Sequence, residues 1–367
     1  MTRKGRTLVP LLLLAGLLVA IQVTVSALDR DVLLDPLVRT AYFSIVVMGL
    51  CLVMGHAGQI SLGHGAFVAV GGYTSAVLTT TPIPIAHEAG AGAAMKKMGL
   101  LLVRQDLYGD SLVTVSPAAA FVLALLLTAA IALLIGWPAL RLKGHYLAMA
   151  TLGFGLIVYR LVLGTEFTGA ADGIAGVPPW SLGFGLVVSY SREVRVANYY
   201  VAWGLALLIL LGLLNVVRSR VGRALQSIHG GELAANTMGI NTAGFKLQAF
   251  VLSAVLAAGA GSLLTHYNGY IGPSKAGAME SIRYVALVAA GGMGNLWGVL
   301  VMSTILNFLS FRGYFGTLDH AVFGGLLIAI VSLAPQGPLQ PVAAGIRSLF
   351  GYGSHNKRED RKDHVPA

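Results

Sequence analysis

Three polar, glycine-rich runs interrupt a chain that is otherwise largely apolar, and the types and spacing of their side chains bear most directly on function. The first, Gly55-His-Ala-Gly-Gln-Ile-Ser-Leu-Gly-His-Gly65, sets Gln59, Ser61 and His64 among Gly58, Gly63 and their neighbours. The second, 219–246, reads SRVGRALQSIHGGELAANTMGINTAGFK; Arg218, Arg220 and Arg223 stand at its start and Glu232 is its single acid. The third, Gly291-Gly-Met-Gly-Asn-Leu-Trp-Gly298, contributes Asn295 and Trp297. None of the three makes a reactive constellation. His56 and His64 are eight residues apart with no carboxylate beside them, which is a poor metal site. The sole cysteine, Cys51, lies in an apolar run, so neither a disulfide framework nor a thiolate metal centre is available. No His-Glu-x-x-His, nucleophile elbow or nucleotide-binding P-loop occurs, so no catalytic residue, metal or directly bound cofactor is expected. What remains is the chemistry of positioning: hydrogen-bonding side chains beside backbone that glycine has released.

The elements that position these runs must cross a membrane. Of 367 residues, 56% are hydrophobic and 11% charged, with a mean hydropathy of +0.76, more apolar surface than a soluble domain of this size can use. The net charge of +10 would suit nucleic acid, but the basic residues are scattered among connections that share one side, which membrane topology explains better. Arg3, Lys4 and Arg6 precede an apolar run, 8–28, long enough to cross about 30 Å of hydrocarbon. Val25-Ser26-Ala27 would also serve as a signal-peptide cleavage site, but the run exceeds the usual ~7–15-residue core of such a peptide and is read as a retained span. Further apolar runs follow at 37–54, 66–78, 117–136, 145–164, 198–217, 247–267, 282–308 and 319–334. The expected organisation is an N-terminal basic segment with the first span (1–36), a membrane domain (37–335) and a disordered cytoplasmic tail (336–367).

Backbone unwound at membrane depth finds no partner in lipid, so the run 55–65 either lines a water-filled cavity or is buried in protein. Its glycines would equally let helices pack closely. The run 282–308 fits one tilted helix or two half-spans meeting at its glycines. Charge chooses between them. Arg347, Lys357, Arg358, Arg361 and Lys362 place the tail inside with the N-terminus, which requires an even number of crossings. Two half-spans give ten; the inside segments then hold 14 Lys and Arg against 4 Asp and Glu, and the rest 11 of each. The expected fold is therefore all-α: a polytopic transmembrane helical bundle of about ten spans, some broken or short, with both termini cytoplasmic. The breaks fall one in each half of the chain, as they do at the substrate path of carriers built from repeats. That makes Gly58, Gln59, Ser61, Gly63, His64, Asn295 and Trp297 pathway candidates. Arg160, Glu166 and Arg283 lie near span ends, where side chains snorkel to the interface. The connection 79–116 has mixed charge and suits the outside, with a short amphipathic helix around 93–103, and 165–197 reads as a compact, turn-rich external loop. Residues 232–239 read as a short helix outside the bilayer, with Gly239 as its C-cap.

Four strings carry a resemblance: Gly-His-Ala-Gly-Gln-Ile-Ser-Leu-Gly-His-Gly-Ala-Phe with the following Gly-Gly-Tyr; Thr168-Gly-Ala-Ala-Asp-Gly-Ile-Ala-Gly-Val-Pro178; Val-Gly-Arg-Ala-Leu with Glu-Leu-Ala-Ala-Asn-Thr-Met-Gly-Ile-Asn; and Gly-Gly-Met-Gly-Asn-Leu-Trp-Gly. Together, over 44–334, the chain resembles the permeases of branched-chain amino acid ABC importers, the LivM and LivH type. The resemblance implies that 218–246 is a coupling loop, which in that family docks into a groove of the ATPase subunit and passes its movement to the membrane helices. By match, Glu232, Ala234, Ala235 and Gly239 would carry the docking, with Arg220 and Arg223 in the same loop. Two departures stand out. His229-Gly230 occupies the place where many relatives have an Arg-Glu pair, and Ala170 replaces the second Gly of a Thr-Gly-Gly-x-x-Gly pattern, which weakens any claim to one fixed backbone conformation there.

The resemblance further implies alternating access in a bacterial inner membrane, with leucine, isoleucine and valine as cargo. Its partners would be a second, LivH-like permease, two ABC ATPase subunits that hold the ATP, a periplasmic substrate-binding protein, with 165–197 either touching it or serving only as structure, and the surrounding membrane lipid; nucleic acid is not among them. Permeases of urea or short-amide importers look much alike, and the sequence does not separate the two cargoes. An ion-coupled secondary carrier would work alone but usually needs a buried acid relay, of which the sequence gives no clear sign. A membrane enzyme would need a reactive constellation.

Overall fold

A computed structural model describes residues 5–82, 99–105, 111–140, 145–183 and 186–333. The expected tail 336–367, the basic pair Arg141 and Lys143, and much of the connection 79–116 lie outside the described residues.

Helix α2 (Leu34–Cys51), continued by one π-helical turn, Leu52–His56, is the post around which the rest is arranged. It is mostly apolar and buried on nearly every face, as a helix enclosed by others must be, with Asp35 and Arg39 as its charged exceptions. Of its most apolar stretch 94% is buried, against 11% for α1 (Gly5–Ala27), which lies at the rim. Four helices enclose α2: α6 (Arg195–Arg218), α9 (Thr242–Asn268), α10 (Ala278–Gly291) and α11 (Leu296–Phe311). The tightest pairing is between α3 (His64–Thr80) and α9. It depends on small residues: a Cβ on Gly71 would overlap the Ala258 backbone, one on Gly261 the Val68 backbone, and Ser75 hydrogen-bonds Ser262. Helix α4 (Pro117–Ala139) sets Ala120, Ala124, Thr128, Ala132 and Gly136, one every fourth residue, toward the protein and its larger residues outward. Helices α5 (His145–Gly164) and α12 (Asp319–Leu333) complete the bundle, and α7 (Arg220–Gly230) and α8 (Glu232–Thr237) form the connection between α6 and α9.

Among the described residues, six helices are long and apolar enough to cross a membrane by themselves: α1, α2 with its flanking turns, α4, α5, α6 and α9. The apolar helices α3, α10, α11 and α12 have 17, 14, 16 and 15 residues, roughly 21–26 Å at 1.5 Å per residue. That is short of the ~30 Å hydrocarbon thickness; the glycine breaks shorten α3, α10 and α11, and α12 is described as far as Leu333. The chain is a helical, multi-pass membrane protein, and 282–308 is indeed two helices rather than one.

The expectation of an all-α chain needs correction. Strands β1 (Leu101–Gln105) and β2 (Ser111–Val115) pair antiparallel; β3 (Ile174–Ala175) pairs with β6 (Tyr270–Ile271), and β4 (Trp180–Gly183) with β5 (Leu186–Val188). The amphipathic helix expected over 93–103 is corrected where it is described: 101–103 belong to β1, and 93–98 lie outside the described residues. Leu101, Leu102 and Val103 pair with Val115, Thr114 and Val113 of β2, whose β-branched residues suit a pleated, half-buried surface better than a helix.

A second correction concerns charge. Arg283 does not snorkel: it is buried, its guanidinium bonding Asn307 Oδ1 at 2.8 Å and Ser310 Oγ at 2.9 Å, 3.6 Å from Asp319, and stacked near Phe43, Phe311 and Phe323. Arg160 and Glu166 are exposed. Asp35, just ahead of the run 37–54, is a buried acid that the sequence analysis passed over; its Oδ1 accepts from Arg195 Nε at 2.9 Å and Tyr267 hydroxyl at 3.0 Å, tying α2, α6 and α9 at one end.

Candidate functional site

The two glycine breaks meet. The π-turn ends at His56 and the chain runs extended to α3, with Gly58 in the left-handed region at φ 67° and the Gln59 N–H donating to the Val53 carbonyl at 3.1 Å. A Cβ on Gly55 would overlap the Met293 carbonyl, and the Cys51 thiol donates to that same carbonyl at 3.2 Å. The break between α10 and α11 is thus seated against the break between α2 and α3. Asn295 caps α11, its Oδ1 accepting from the Trp297 N–H at 3.2 Å; Asn295 is exposed and Trp297 half-buried.

His64 fastens the first break to α9. One ring nitrogen is 3.1 Å from Ser61 Oγ and the other 2.7 Å from Ser253 Oγ, with the ring edge-on to Phe67 and Phe250. The Leu62 N–H donates to Thr151 Oγ1 at 3.0 Å and the Gly65 N–H to Ser281 Oγ at 3.0 Å. Gly63 packs on the Thr151 backbone, where a Cβ would lie 2.7 Å from its carbonyl oxygen. Ser61, Gly63 and His64 are therefore buried joints between helices, and Gln59, 4% exposed, leaves its Oε1 without a partner among the described residues.

The polar connection lies at the same end. Helix α7 buries Gly222, Leu225 and Ile228 on one face and exposes Arg220 and Arg223, the latter donating to the Arg218 carbonyl at 3.4 Å. Its His229 reaches the first break: a Cβ on Gly58 would stand 2.8 Å from His229 Nδ1. Helix α8 is braced to α9 by an ion pair, Glu232 to Lys246, at 2.6 Å, and Asn236 accepts from the Thr242 hydroxyl at 3.0 Å. Ala235 is buried at 4%, Ala234 is exposed, and Gly239 takes a left-handed φ of 80° just after the helix, as expected of a C-cap glycine. Two apolar side chains point outward here, Leu233 of α8, 75% exposed, and Met238 just past the helix end, 82% exposed. Their signal was available as two large apolar residues in a polar run.

At the opposite end of α2 and α9 the bundle carries two partly open cavities, of which the sequence gives no sign. The larger, of about 330 Å³, is bounded by Arg39, Phe43, Val68, Asn268, Ile271 and Lys275 among others; the smaller, of about 210 Å³, includes Asp35, Tyr190 and Arg312. Arg39 and Phe311 line both. None of the expected pathway residues lines either cavity.

Residues 32–331, nearly the whole described bundle, match the family model described as the permease component of branched-chain amino acid transport systems. The chain belongs to that permease family. It is 31% identical to the high-affinity branched-chain amino acid transport system permease protein LivM of Salmonella typhimurium over 328 residues, 83% of this chain and 69% of the relative. It is 32% identical to LivM of Escherichia coli K12 over 82% of this chain and 68% of the relative, and 26% identical to LivH of the same organism over 81% of this chain and 91% of the relative. No solved structure matches. Within the family this permease is LivM-like, and the two breaks, the α7–α8 connection and both cavities all fall inside the matched region.

Proposed function

We propose that the chain is the LivM-type permease subunit of an ATP-driven importer that moves leucine, isoleucine and valine across a bacterial inner membrane by alternating access. A LivH-like permease would pair with it, two ATPase subunits would bind the α7–α8 connection, and a periplasmic binding protein would deliver cargo to the opposite end. The observation that carries this reading is the double attachment of that connection: Glu232 ties α8 to α9 through Lys246, and His229 of α7 touches the first break at Gly58, which itself bears on the second break at Met293. A push on α7–α8 thus reaches α9 and both breaks together. Backbone interrupted inside a bundle is where a helix bends at little cost, so the arrangement turns cytoplasmic movement into a change at the gate. Glu232 and Ala235 brace the connection, while Leu233 and Met238 give an ATPase groove apolar side chains to grip. Ten crossings follow if α3, α10, α11 and α12 each cross, which keeps both termini cytoplasmic in line with the charge asymmetry.

The test is uptake of radiolabelled leucine and urea into proteoliposomes that hold the chain with its partner permease and ATPases, binding protein outside and ATP inside. Leucine import that stops without ATP is expected. Import by this chain alone without ATP would sink the reading, and ATP-driven urea import would keep the mechanism and replace the cargo.

A further inference from the structure

We infer that Arg39 receives the carboxylate of the carried amino acid in the larger cavity, at the end of the bundle away from α7 and α8. The inference rests on the reading of the chain as an amino-acid permease and adds a residue and a binding geometry to it. Arg39 projects from α2, the most enclosed helix, and lines both cavities. Its Nε is buried without a hydrogen-bond partner among the described residues, and its guanidinium lies 5.6 Å from the Tyr190 ring centroid. Stacking on a ring leaves the guanidinium edge, with its forked donors, open to a carboxylate. Of the neighbouring cations, Arg195 is engaged with Asp35 at 2.9 Å, Lys275 with Glu280 at 2.9 Å, and Arg283 with Asn307 and Ser310, while Arg312 is exposed and lines only the smaller cavity. Because Arg195 already answers Asp35, the charge of Arg39 is not cancelled by its nearest acid on α2.

The rest of the cavity suits the rest of an aliphatic amino acid. Asn268 Oδ1 is buried with no partner among the described residues and can accept from the ammonium group. Phe43, Val68, Leu264 and Ile271 form apolar walls for the side chain. The volume of about 330 Å³ is at the small end of the ~300–1,000 Å³ range of small-molecule sites. A carboxylate leaving water for such a site needs a fixed cation, whereas an uncharged amide needs none.

The experiment uses the assembled importer in proteoliposomes, with co-purification of the ATPase subunits as the check on assembly. Arg39→Gln should cut leucine import about tenfold or more, and Arg39→Lys less. Arg39→Cys should be as poor as Arg39→Gln, recover after reaction with 2-aminoethyl methanethiosulfonate, which restores a cation, and not recover with the neutral methyl reagent. Excess unlabelled leucine should compete with labelled leucine for import by the wild-type complex, and leucinamide, which lacks the carboxylate, should compete far less. Arg39→Gln import within about twofold of wild type, equal rescue by the neutral reagent, or equal competition by leucinamide overturns the assignment. If the Arg39 variants do not assemble, Asn268→Leu decides: it should lower leucine import, and unchanged import overturns the geometry. Wild-type complex that imports no leucine would fail the amino-acid reading itself, a result distinct from all of these.

Discussion

Ala170 shows how a single residue records both a constraint and a departure from it. Its φ of 46° lies in the left-handed region, between Gly169 at 75° and Gly173 at 72°. In the sequence, the loss of glycine here weakens any claim to one fixed backbone conformation; in the structure the turn is held by the Gly173 N–H to the Gly169 carbonyl and by Gly173 packed on the Ile271 carbonyl. An L-residue in that region costs roughly 1–2 kcal/mol, partly offset by the greater freedom glycine loses on folding. Ala170→Gly is therefore expected to raise stability by about 0.5–1 kcal/mol, seen as a higher midpoint in a thermal unfolding scan of the detergent-solubilised protein. Gly55 is the opposite case. No side chain fits against the Met293 carbonyl, so Gly55→Val should drive the two breaks apart and abolish import, with a sharp loss of monodisperse protein on size exclusion as the measurement.

At the scale of elements, the Glu232–Lys246 pair separates bracing from docking. Lys246 is buried and Glu232 about one-third exposed, so removing either partner leaves a charge poorly answered. Glu232→Lys should uncouple α8 from α9 and reduce ATP-driven import, and adding Lys246→Glu should restore most of it. Failure of the swap to rescue would mean that Glu232 instead meets the ATPase. Leu233→Asp and Met238→Asp should leave the permease folded and release the ATPase subunits on co-purification. The breaks, α8 and its capping Gly239 were legible in the sequence because glycine and polar residues stand out inside apolar runs. The brace was not, since Glu232 and Lys246 are joined only when α8 folds back on α9. Arg39 escaped for a related reason: a single arginine inside an apolar run gives no clue that it faces a cavity rather than the interface.

For the whole molecule, the helical membrane class was legible from composition, and the division of 282–308 into two helices from the charge balance between sides. The strands were not, because pairing such as Ile174 with Ile271 depends on loops far apart in sequence. The same charge balance predicts that reporters fused before Arg6 and after Leu333 both read as cytoplasmic; opposite readings would break the count of ten crossings.

The exposure of Leu233 and Met238 has an energetic corollary. A two-state transporter driven from 1:99 to 99:1 needs a partner that binds one state about 10⁴-fold more tightly, or ~5.5 kcal/mol. Burying two such side chains is worth roughly 1.5–3 kcal/mol each, so a groove that closes on both in one state and on neither in the other commands about the required bias. Linkage makes the effect mutual: cargo that favours one state must change the affinity of the ATPase for α8 by the same factor.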